Sequence, residues 1–335
     1  MLSEFIIIIF LLISSYLGFK IYIFLGILKL NQKDEFLMFK RKNLQTGSGS
    51  VFFIIFFIFL FLFYFFNFFA IFFPRNFFFF ILSLTFITVL SFLDDKYNLS
   101  PLLRFSSHLI ATYTALSTVP YSVEFLPIKL NILIALITWV YIINVTNFID
   151  GADGFCATIS LSFFLNTILI CTFINLLNFS FLIAIIMSPI LLIFILFNYP
   201  PAKLFMGDTG SILLGFLIGY IIIELSHSKY FILIISAYAY PLLDVSITLF
   251  NRILKGYAPW ARLGDFYFLV SKKTNNYKRN FILVERKIFL IAVLQSLFTL
   301  VTTFIALKLD FHYLSLLNFF FALILLRIFH FYKDK

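Results

Sequence analysis

Long apolar segments recur along the whole chain, and short polar stretches separate them. A helix that crosses a bilayer needs about 20 predominantly apolar residues, so this pattern constrains the fold more than any single motif does. Only 12% of the 335 residues are charged and 62% are hydrophobic, whereas soluble domains carry roughly 25% charged residues. The sequence therefore predicts an integral membrane protein built from helices, because lipid cannot satisfy the backbone groups of an open sheet.

Eleven segments are candidate spans, although some of them are short. They cover approximately residues 5–28, 51–73, 77–93, 105–120, 131–147, 155–175, 179–197, 210–226, 230–250, 288–308 and 314–331. We therefore expect an all-α polytopic membrane protein with about 10–11 transmembrane helices. The first segment is too long for the core of a signal peptide, so we expect a retained helix. We expect a single integral membrane domain over residues 1–335.

The basic residues predict how the chain is oriented. If the N-terminus lies outside, the cytoplasmic loops and the C-terminal tail contain 19 of the 25 Lys and Arg residues. Cytoplasmic loops carry such an excess, so we expect an outside N-terminus, a cytoplasmic C-terminus and a site on the cytoplasmic face. These loops also account for the net charge of +10, and we therefore expect no nucleic-acid partner.

The polar stretch Asn144–Gly154, with the sequence NVTNFIDGADG, lies between two apolar segments. Asn147, Asp150 and Asp153 recur at every third residue, so one helical turn would place them on one side. Asn, Gly and Asp also make ordinary turns. Two carboxylates at the end of a membrane span are costly, however, and we favour part of a site for a metal and a diphosphate.

Two other polar stretches fall on the same predicted face. Asp94 and Asp95 end the third segment, and Arg104 and His108 follow, four residues apart on one helical face. The stretch NYPPAKLFMGDTGSILLG starts at residue 198 and opens the eighth segment. It contains Lys203, Asp208 and Ser211 near a predicted helix N-terminus, whose free N–H groups and dipole favour phosphate.

The two most basic loops have ordinary explanations as well as functional ones. The loop 29–50 is typical of a cytoplasmic anchor, but its glycines, Gly47 and Gly49, would also let the backbone approach a phosphate. The loop 251–287 mixes cations with aromatic residues. That mixture suits a nucleotide or an anionic headgroup and equally suits a plain cytoplasmic loop.

Five acidic side chains on one face indicate a cation, because they would otherwise repel one another. These are Asp94, Asp95, Asp150, Asp153 and Asp208. Oxygen ligands without a His or Cys cluster favour Mg²⁺, with Mn²⁺ as an alternative. The residues thus favour phosphoryl transfer at the inner membrane surface, with electrostatics and positioning as the main catalytic effects.

The segments DDKYNLSPLLR, NVTNFIDGADG, NYPPAKLFMGDTGS and PLLD resemble, in this order, the signature segments of the polyprenyl-phosphate N-acetylhexosamine-1-phosphate transferases, bacterial glycosyltransferase family 4. The resemblance covers roughly residues 90–270. It implies transfer of a sugar-1-phosphate from a UDP-sugar to a polyprenyl phosphate such as undecaprenyl phosphate, with Mg²⁺ and release of UMP. It further implies that the protein lies in the bacterial inner membrane, contacts membrane lipid and catalyses the first step in the synthesis of an O-antigen-like or capsule-like glycan. A homodimer is compatible with these expectations.

By motif position, the resemblance also implies a role for individual residues. Catalytic roles fall on Asp94, Asp95 and Asp150, and metal ligation falls on Asp208 and Asp95. Substrate-binding roles fall on Asn147, Asp153, Lys203 and Ser211. Arg104, Arg262 and Asp265 are further candidates for substrate binding, chosen for their positions in the sequence and not from the family's motifs. We expect direct attack by the lipid phosphate, with Asp94 or Asp95 as the base.

The sequence departs from the family at two places. The first loop reads KNLQTGSGS where the family has a basic residue followed by PTPxGGG, and the loop after Asp244 reads RLGDFYFL and contains no histidine. The second departure argues against the MurNAc-pentapeptide branch, and we hypothesise that Arg262 and Asp265 take over part of that loop's substrate contacts. Two alternatives stay open, a transporter that uses carboxylates as a relay and an inactive relative.

Overall fold

A computed structural model describes residues 2–28, 44–66, 73–119, 127–259, 263–270 and 275–331. These ranges form α-helices and short connections, with one isolated parallel bridge between Gln45 and Leu204. The helices are α1 (Leu2–Leu25), α2 (Gly49–Phe65), α3 (Phe77–Tyr97), α4 (Pro101–Ala115), α5 (Ile128–Phe148), α6 (Phe155–Phe173), α7 (Phe179–Asn198), α8 (Gly207–Glu224), α9 (Phe231–Ala237), α10 (Ala239–Leu254), α11 (Tyr267–Val270), α12 (Asn275–Lys308) and α13 (Leu317–Phe331). The all-α polytopic prediction is confirmed.

Each of the eleven apolar segments coincides with a helix or a helix pair, but they are not equally long. Within the described residues, eight helical segments are long and apolar enough to cross a membrane; the last of them, His312–Phe329, joins a short 3-10 helix (His312–Leu316) to α13. The pair α9–α10 makes a ninth if it is one span. The remaining two segments correspond to α2, with 17 residues, and α4, with 15. By length and composition the structure therefore offers eight or nine spans, against the 10–11 expected.

The segment predicted over residues 230–250 is a broken helix. α9 and α10 meet at an angle of 67°, and Tyr238 between them has φ −109° and ψ 19°. Pro241 follows in the first turn of α10. Proline has no N–H to donate to the preceding turn, so the hydrogen-bond ladder of α9 cannot continue through this point.

The helix α8 lies in the interior of the bundle, where α5 packs closely against it. A Cβ at Gly215 would lie 2.7 Å from the Cα of Ile143, and a Cβ at Gly219 would lie 2.3 Å from the ring of Trp139. The indole Nε1 of Trp139 donates to the carbonyl of Phe216 at 2.9 Å. These contacts fix the register of the two helices.

That register places two polar stretches at the same end of the bundle. Asp208 precedes Gly215 by seven residues, and Asp150 follows Ile143 by seven residues on the antiparallel neighbour. A helix rises about 1.5 Å per residue, so both acids lie on the order of 10 Å beyond the contact, in the same direction. The packing of small residues thus positions the site.

Candidate active site

The carboxylate of Asp95, near the end of α3, binds the first turn of α8. Its Oδ1 accepts a hydrogen bond from the N–H of Asp208 at 2.8 Å. Its Oδ2 accepts from the N–H of Thr209 at 3.0 Å and from the Thr209 hydroxyl. Negative charge is favourable at a helix N-terminus, and these bonds use three of the roughly four lone-pair positions of a carboxylate. Asp95 therefore caps a helix that begins 112 residues later in the chain.

Two glycines make this approach sterically feasible. Gly207 has φ +70°, and a Cβ there would lie 2.6 Å from Oδ2 of Asp95. Gly49 begins α2, where a Cβ would lie 2.0 Å from the backbone nitrogen of Gly210. The N–H of Gly49 donates to the carbonyl of Met206 at 3.0 Å. Gly49, from the end of the first basic loop, thus lets the backbone of α2 pack closely against the start of α8. The predicted contact of the loop's glycines with a phosphate stays a prediction.

Arg104, in the first turns of α4, joins two more of the acids. One guanidinium nitrogen lies 3.2 Å from Asp94 Oδ2 and 3.5 Å from Asp208 Oδ2. Asp94 is buried, and its Oδ1 accepts a hydrogen bond from the N–H of Leu99 at 2.7 Å. Asp208 and Arg104 are 32% and 28% exposed, respectively. A ligand can therefore reach this cluster from the side of Asp208 and Arg104.

The acids near Arg104 supply too few ligands to hold a divalent ion alone, so substrate phosphates would have to complete its coordination. Among the described residues, no group of three or more His, Cys, Asp or Glu side chains is arranged to hold a metal. Mg²⁺ usually binds through one or two carboxylates together with substrate phosphates and water. Asp208 and Asp94 are two such carboxylates, and both lie beside the same guanidinium nitrogen of Arg104. The oxygens of Asp95, in contrast, already accept hydrogen bonds from α8.

A second set of hydrogen bonds supports the segment that leads into α8. Oδ2 of Asp153, which is 1% exposed, accepts from the N–H of Ala202 at 2.9 Å. Asn198 accepts from the N–H of Gly154 at 2.8 Å and donates to the carbonyl of Leu204 at 2.7 Å. The segment 198–209 is therefore held by Asp153 and Asn198 at its start and by Asp95 at its end.

The remaining predicted residues of this region differ in accessibility. Asn147 and Asp150 are half-buried at the end of α5 and in the turn that follows, and Lys203 is exposed. Ser211 is fully buried, and its hydroxyl donates to the carbonyl of Gly207 at 3.2 Å within α8. Asp150 and Lys203 are thus open to a ligand, whereas Ser211 is covered by protein.

The chain after α10 is held by two charged residues on one face of that helix. The guanidinium of Arg252, which is 2% exposed, donates to Asp265 at 3.0 Å and to the carbonyl of Pro259 at 2.6 Å. Asp244 accepts from the N–H groups of Tyr267 at 2.9 Å and Phe268 at 3.3 Å. Asp265 is therefore part of an ion pair with Arg252, and the predicted residue Arg262 lies outside the described residues.

Aromatic contacts place this part of the chain against the central polar stretch. Phe268 stacks on Phe155 with a centroid distance of 4.8 Å, and Phe266 stacks on Phe148 at 5.4 Å. Burial and the carboxylate of Asp244 raise the pKa of Tyr267, so its hydroxyl is neutral at physiological pH. The residues after α10 thus border the turn that carries Asp150.

Three supporting residues were not predicted from the sequence. Asn198 was only one member of a proline-rich stretch, and Glu285, which accepts from the N–H of Asp153 at 3.2 Å, lies beside basic residues as a solvated acid would. Arg252 follows Asp244 by eight residues, which places both on one helical face. That spacing was the available signal for Arg252.

The fold and the site together define a class of protein, an all-α membrane protein with an acidic cluster at one end of its helix bundle. Residues 77–226 match the model of glycosyl transferase family 4. The match begins at the start of α3 and ends just after α8, so it includes the cluster of Asp94, Asp95, Arg104 and Asp208. The resemblance to the polyprenyl-phosphate N-acetylhexosamine-1-phosphate transferases is therefore confirmed for this segment.

Curated relatives from several bacteria align with this chain. A decaprenyl-phosphate N-acetylglucosaminephosphotransferase of Mycolicibacterium smegmatis is 27% identical over 52% of this chain and 51% of its own length. A probable undecaprenyl-phosphate N-acetylglucosaminyl 1-phosphate transferase of Bacillus subtilis is 36% identical over 39% and 38%. A phospho-N-acetylmuramoyl-pentapeptide-transferase of Thermotoga neapolitana is 32% identical over 51% and 62%. The chain spans about half the length of these relatives.

Proposed function

We propose that this protein transfers a HexNAc-type sugar-1-phosphate from a UDP-sugar to a polyprenyl phosphate and releases UMP. The single observation that carries this proposal is the junction of Asp94, Asp208 and Arg104 at the start of α8. It combines carboxylates for a divalent ion with a cation for a phosphate. The names of the relatives support the same acceptor and the same transferred group.

The geometry assigns different roles to the acidic residues. A phosphate monoester carries about −1.5 to −2 charges at pH 7, so a polyprenyl phosphate needs little help from a base to act as a nucleophile. Asp94 is paired with Arg104, so its carboxylate is already engaged by a cation. We therefore assign the three residues of the junction mainly electrostatic and positioning roles, and Asp95 holds α8 in place.

The proposed cofactor is Mg²⁺, with Mn²⁺ as an alternative. Asp208 and Asp94 would hold it, and the prediction that Asp95 is also a ligand stays a prediction. When bound, the ion would neutralise the charge of the diphosphate donor. Arg104 and the exposed Lys203 would orient phosphate groups beside it.

Asp150, half-buried in the turn after α5, and the neighbouring residues after α10 provide a second wall for the donor. We assign the uridine and sugar parts of the donor to this side, with Asn147 as a further contact. The excess of Lys and Arg in the predicted cytoplasmic loops supports a site at the cytoplasmic face of a bacterial inner membrane. The product would initiate an O-antigen-like or capsule-like glycan, and a homodimer is compatible with this function.

The test uses the purified full-length protein in detergent with undecaprenyl phosphate and Mg²⁺. Radiolabelled UDP-GlcNAc, UDP-GalNAc and a UDP-linked deoxy-amino sugar are supplied separately, and lipid-linked label and UMP are measured. We expect one donor to give a lipid product that disappears in Asp208→Asn. Asp310→Asn is the matched control, because Asp310 is a 79% exposed acid outside the site. Product in the wild type and in this control would support the proposal.

Two other outcomes would favour the alternatives. If no UDP-sugar yields lipid-linked label or UMP, an inactive relative becomes the better description. If the protein instead moves a solute or protons across vesicles and Asp208→Asn stops that movement, a transporter is indicated.

A further inference from the structure

His108 is a buried side chain to which no role has yet been given. It lies on α4 one turn after Arg104 and is only 4% exposed. Among the described residues its Nδ1 is completely buried and has no hydrogen-bond partner. Burying an imidazole nitrogen without a hydrogen bond costs free energy of folding. We therefore expect Nδ1 of His108 to have a hydrogen-bond partner in the folded protein.

One candidate partner, which lines the same cavity, is the carboxylate of Asp94. Oδ2 of Asp94 is also completely buried and, apart from its ion pair with Arg104, has no hydrogen-bond partner among the described residues. Both side chains line one small cavity of about 10 Å³, together with Arg104, Ser91, Ser107 and four apolar residues. Two side chains that each carry a completely buried polar atom therefore line the same small cavity.

The size and the chemistry of this cavity select its occupant. A volume of roughly 10–15 Å³ holds one water molecule, which needs two to four polar partners. The hydroxyls of Ser91 and Ser107 donate to the carbonyls of Ile87 and Arg104 at 2.7 and 2.6 Å, so their oxygens can still accept hydrogen bonds. The cavity is too small for a nucleotide or a lipid.

We propose that His108 is a positioning residue that binds one buried water molecule and, through it, fixes the carboxylate of Asp94 against Arg104. The effect on catalysis rests on the proposed function. The water donates to Asp94 Oδ2 and bonds to Nδ1 of His108. Asp94 is thereby held in the orientation that shares the guanidinium of Arg104 with Asp208.

Two substitutions at His108 separate positioning from packing. A glutamine has an amide that can bond to the water, whereas a leucine fills a similar volume without a polar atom. We expect His108→Leu to lower kcat roughly tenfold or more, as for loss of a hydrogen bond to a charged group, while KM for the UDP-sugar stays within about twofold. His108→Gln should restore most of the kcat. His227→Leu, on an exposed histidine outside the cluster, is the matched control.

The outcomes are distinguishable from failure of the proposed function, which would appear as an inactive wild type. With an active wild type, an unchanged kcat in His108→Leu would overturn the proposal. Equal losses in both variants with a lowered thermal midpoint would also overturn it, because packing alone would then explain them. Loss of an ionisation from the pH profile of kcat in His108→Gln would indicate proton transfer and contradict a positioning role.

A second measurement does not need activity. A high-resolution experimental structure should show a water molecule within about 3.2 Å of both His108 Nδ1 and Asp94 Oδ2. A direct hydrogen bond between Nδ1 and another protein group, or a dry cavity, would overturn the proposal even if the wild type were inactive.

Discussion

Asp95 accepts a hydrogen bond from the backbone N–H of Asp208 at 2.8 Å, so one acid positions the backbone of another. The two residues are 113 positions apart in the chain. The side chain of Asp208 is left facing Arg104. Acids that look equivalent in the sequence therefore differ in the structure: Asp95 binds backbone groups, whereas Asp208 is partly exposed beside Arg104.

Asp95→Asn should reduce both activity and stability. The asparagine has one acceptor oxygen where the carboxylate uses two, and its NH₂ would face an N–H donor. Loss of a buried hydrogen bond of this kind costs about 1–3 kcal/mol, and the start of α8 would shift. Activity is measured by product formation and stability by the thermal midpoint in detergent.

The matched variant is Asp208→Asn. Asp208 is partly exposed, so this variant should lose activity with little change in the thermal midpoint. If the two variants lowered the midpoint equally, the distinction between the two acids would be wrong.

Gly207→Ala should be more harmful than Gly256→Ala. Both glycines have positive φ, +70° and +75°, and each substitution should cost about 1–2 kcal/mol for backbone strain. Only at Gly207 would the new Cβ also meet Asp95, at 2.6 Å, whereas nothing lies within 4 Å at Gly256. We expect Gly207→Ala to have the lower thermal midpoint and the greater loss of activity; equal effects would mean that strain alone matters.

Asp153→Asn tests whether Asp153 supports the site or contacts substrate. Its carboxylate accepts from Ala202 and is 1% exposed, so we expect destabilisation of about 1–3 kcal/mol. Denaturation of the purified protein measures this. A raised KM for the UDP-sugar with unchanged stability would instead show direct contact, as the motif position had implied.

Arg252→Lys should loosen the chain that follows α10. A lysine cannot reproduce the forked hydrogen bonds to Asp265 and Pro259 or the stacking on Phe266. We expect faster chymotryptic cleavage between residues 255 and 269, followed by mass spectrometry, and a raised KM for the UDP-sugar. Asn251→Ser, at an exposed neighbour, is the control. Unchanged cleavage would show that this residue does not hold the segment.

Much of the fold follows from the sequence because lipid imposes simple rules. Apolar segments of sufficient length form helices, and alternate crossings return Asp95, Asp150 and Asp208 to one end of the bundle. The motif order then indicates which loops share a site. None of these rules needs knowledge of which side chains touch.

The parts that could not be predicted depend on contacts between distant residues. Ser211 lies in a motif that was predicted to bind phosphate, yet its side chain is fully buried in the bundle. The motif predicts Asp95 as a metal ligand but gives no sign that its carboxylate also caps α8. A polar residue near a membrane surface serves either role, and only the position of its neighbours distinguishes them. The bend at Tyr238 was hidden for a similar reason, since hydropathy is unchanged across it.

The backbone contact between Gly49 and Gly210 has a consequence for dissecting this protein. The family-matched segment, residues 77–226, begins 28 residues after Gly49 and ends before the chain that packs over Phe148 and Phe155. A fragment limited to that segment would carry Asp94 and Asp208 but would lose two walls of their enclosure. The smallest fragment that keeps these contacts is therefore larger than the segment that matches the family model.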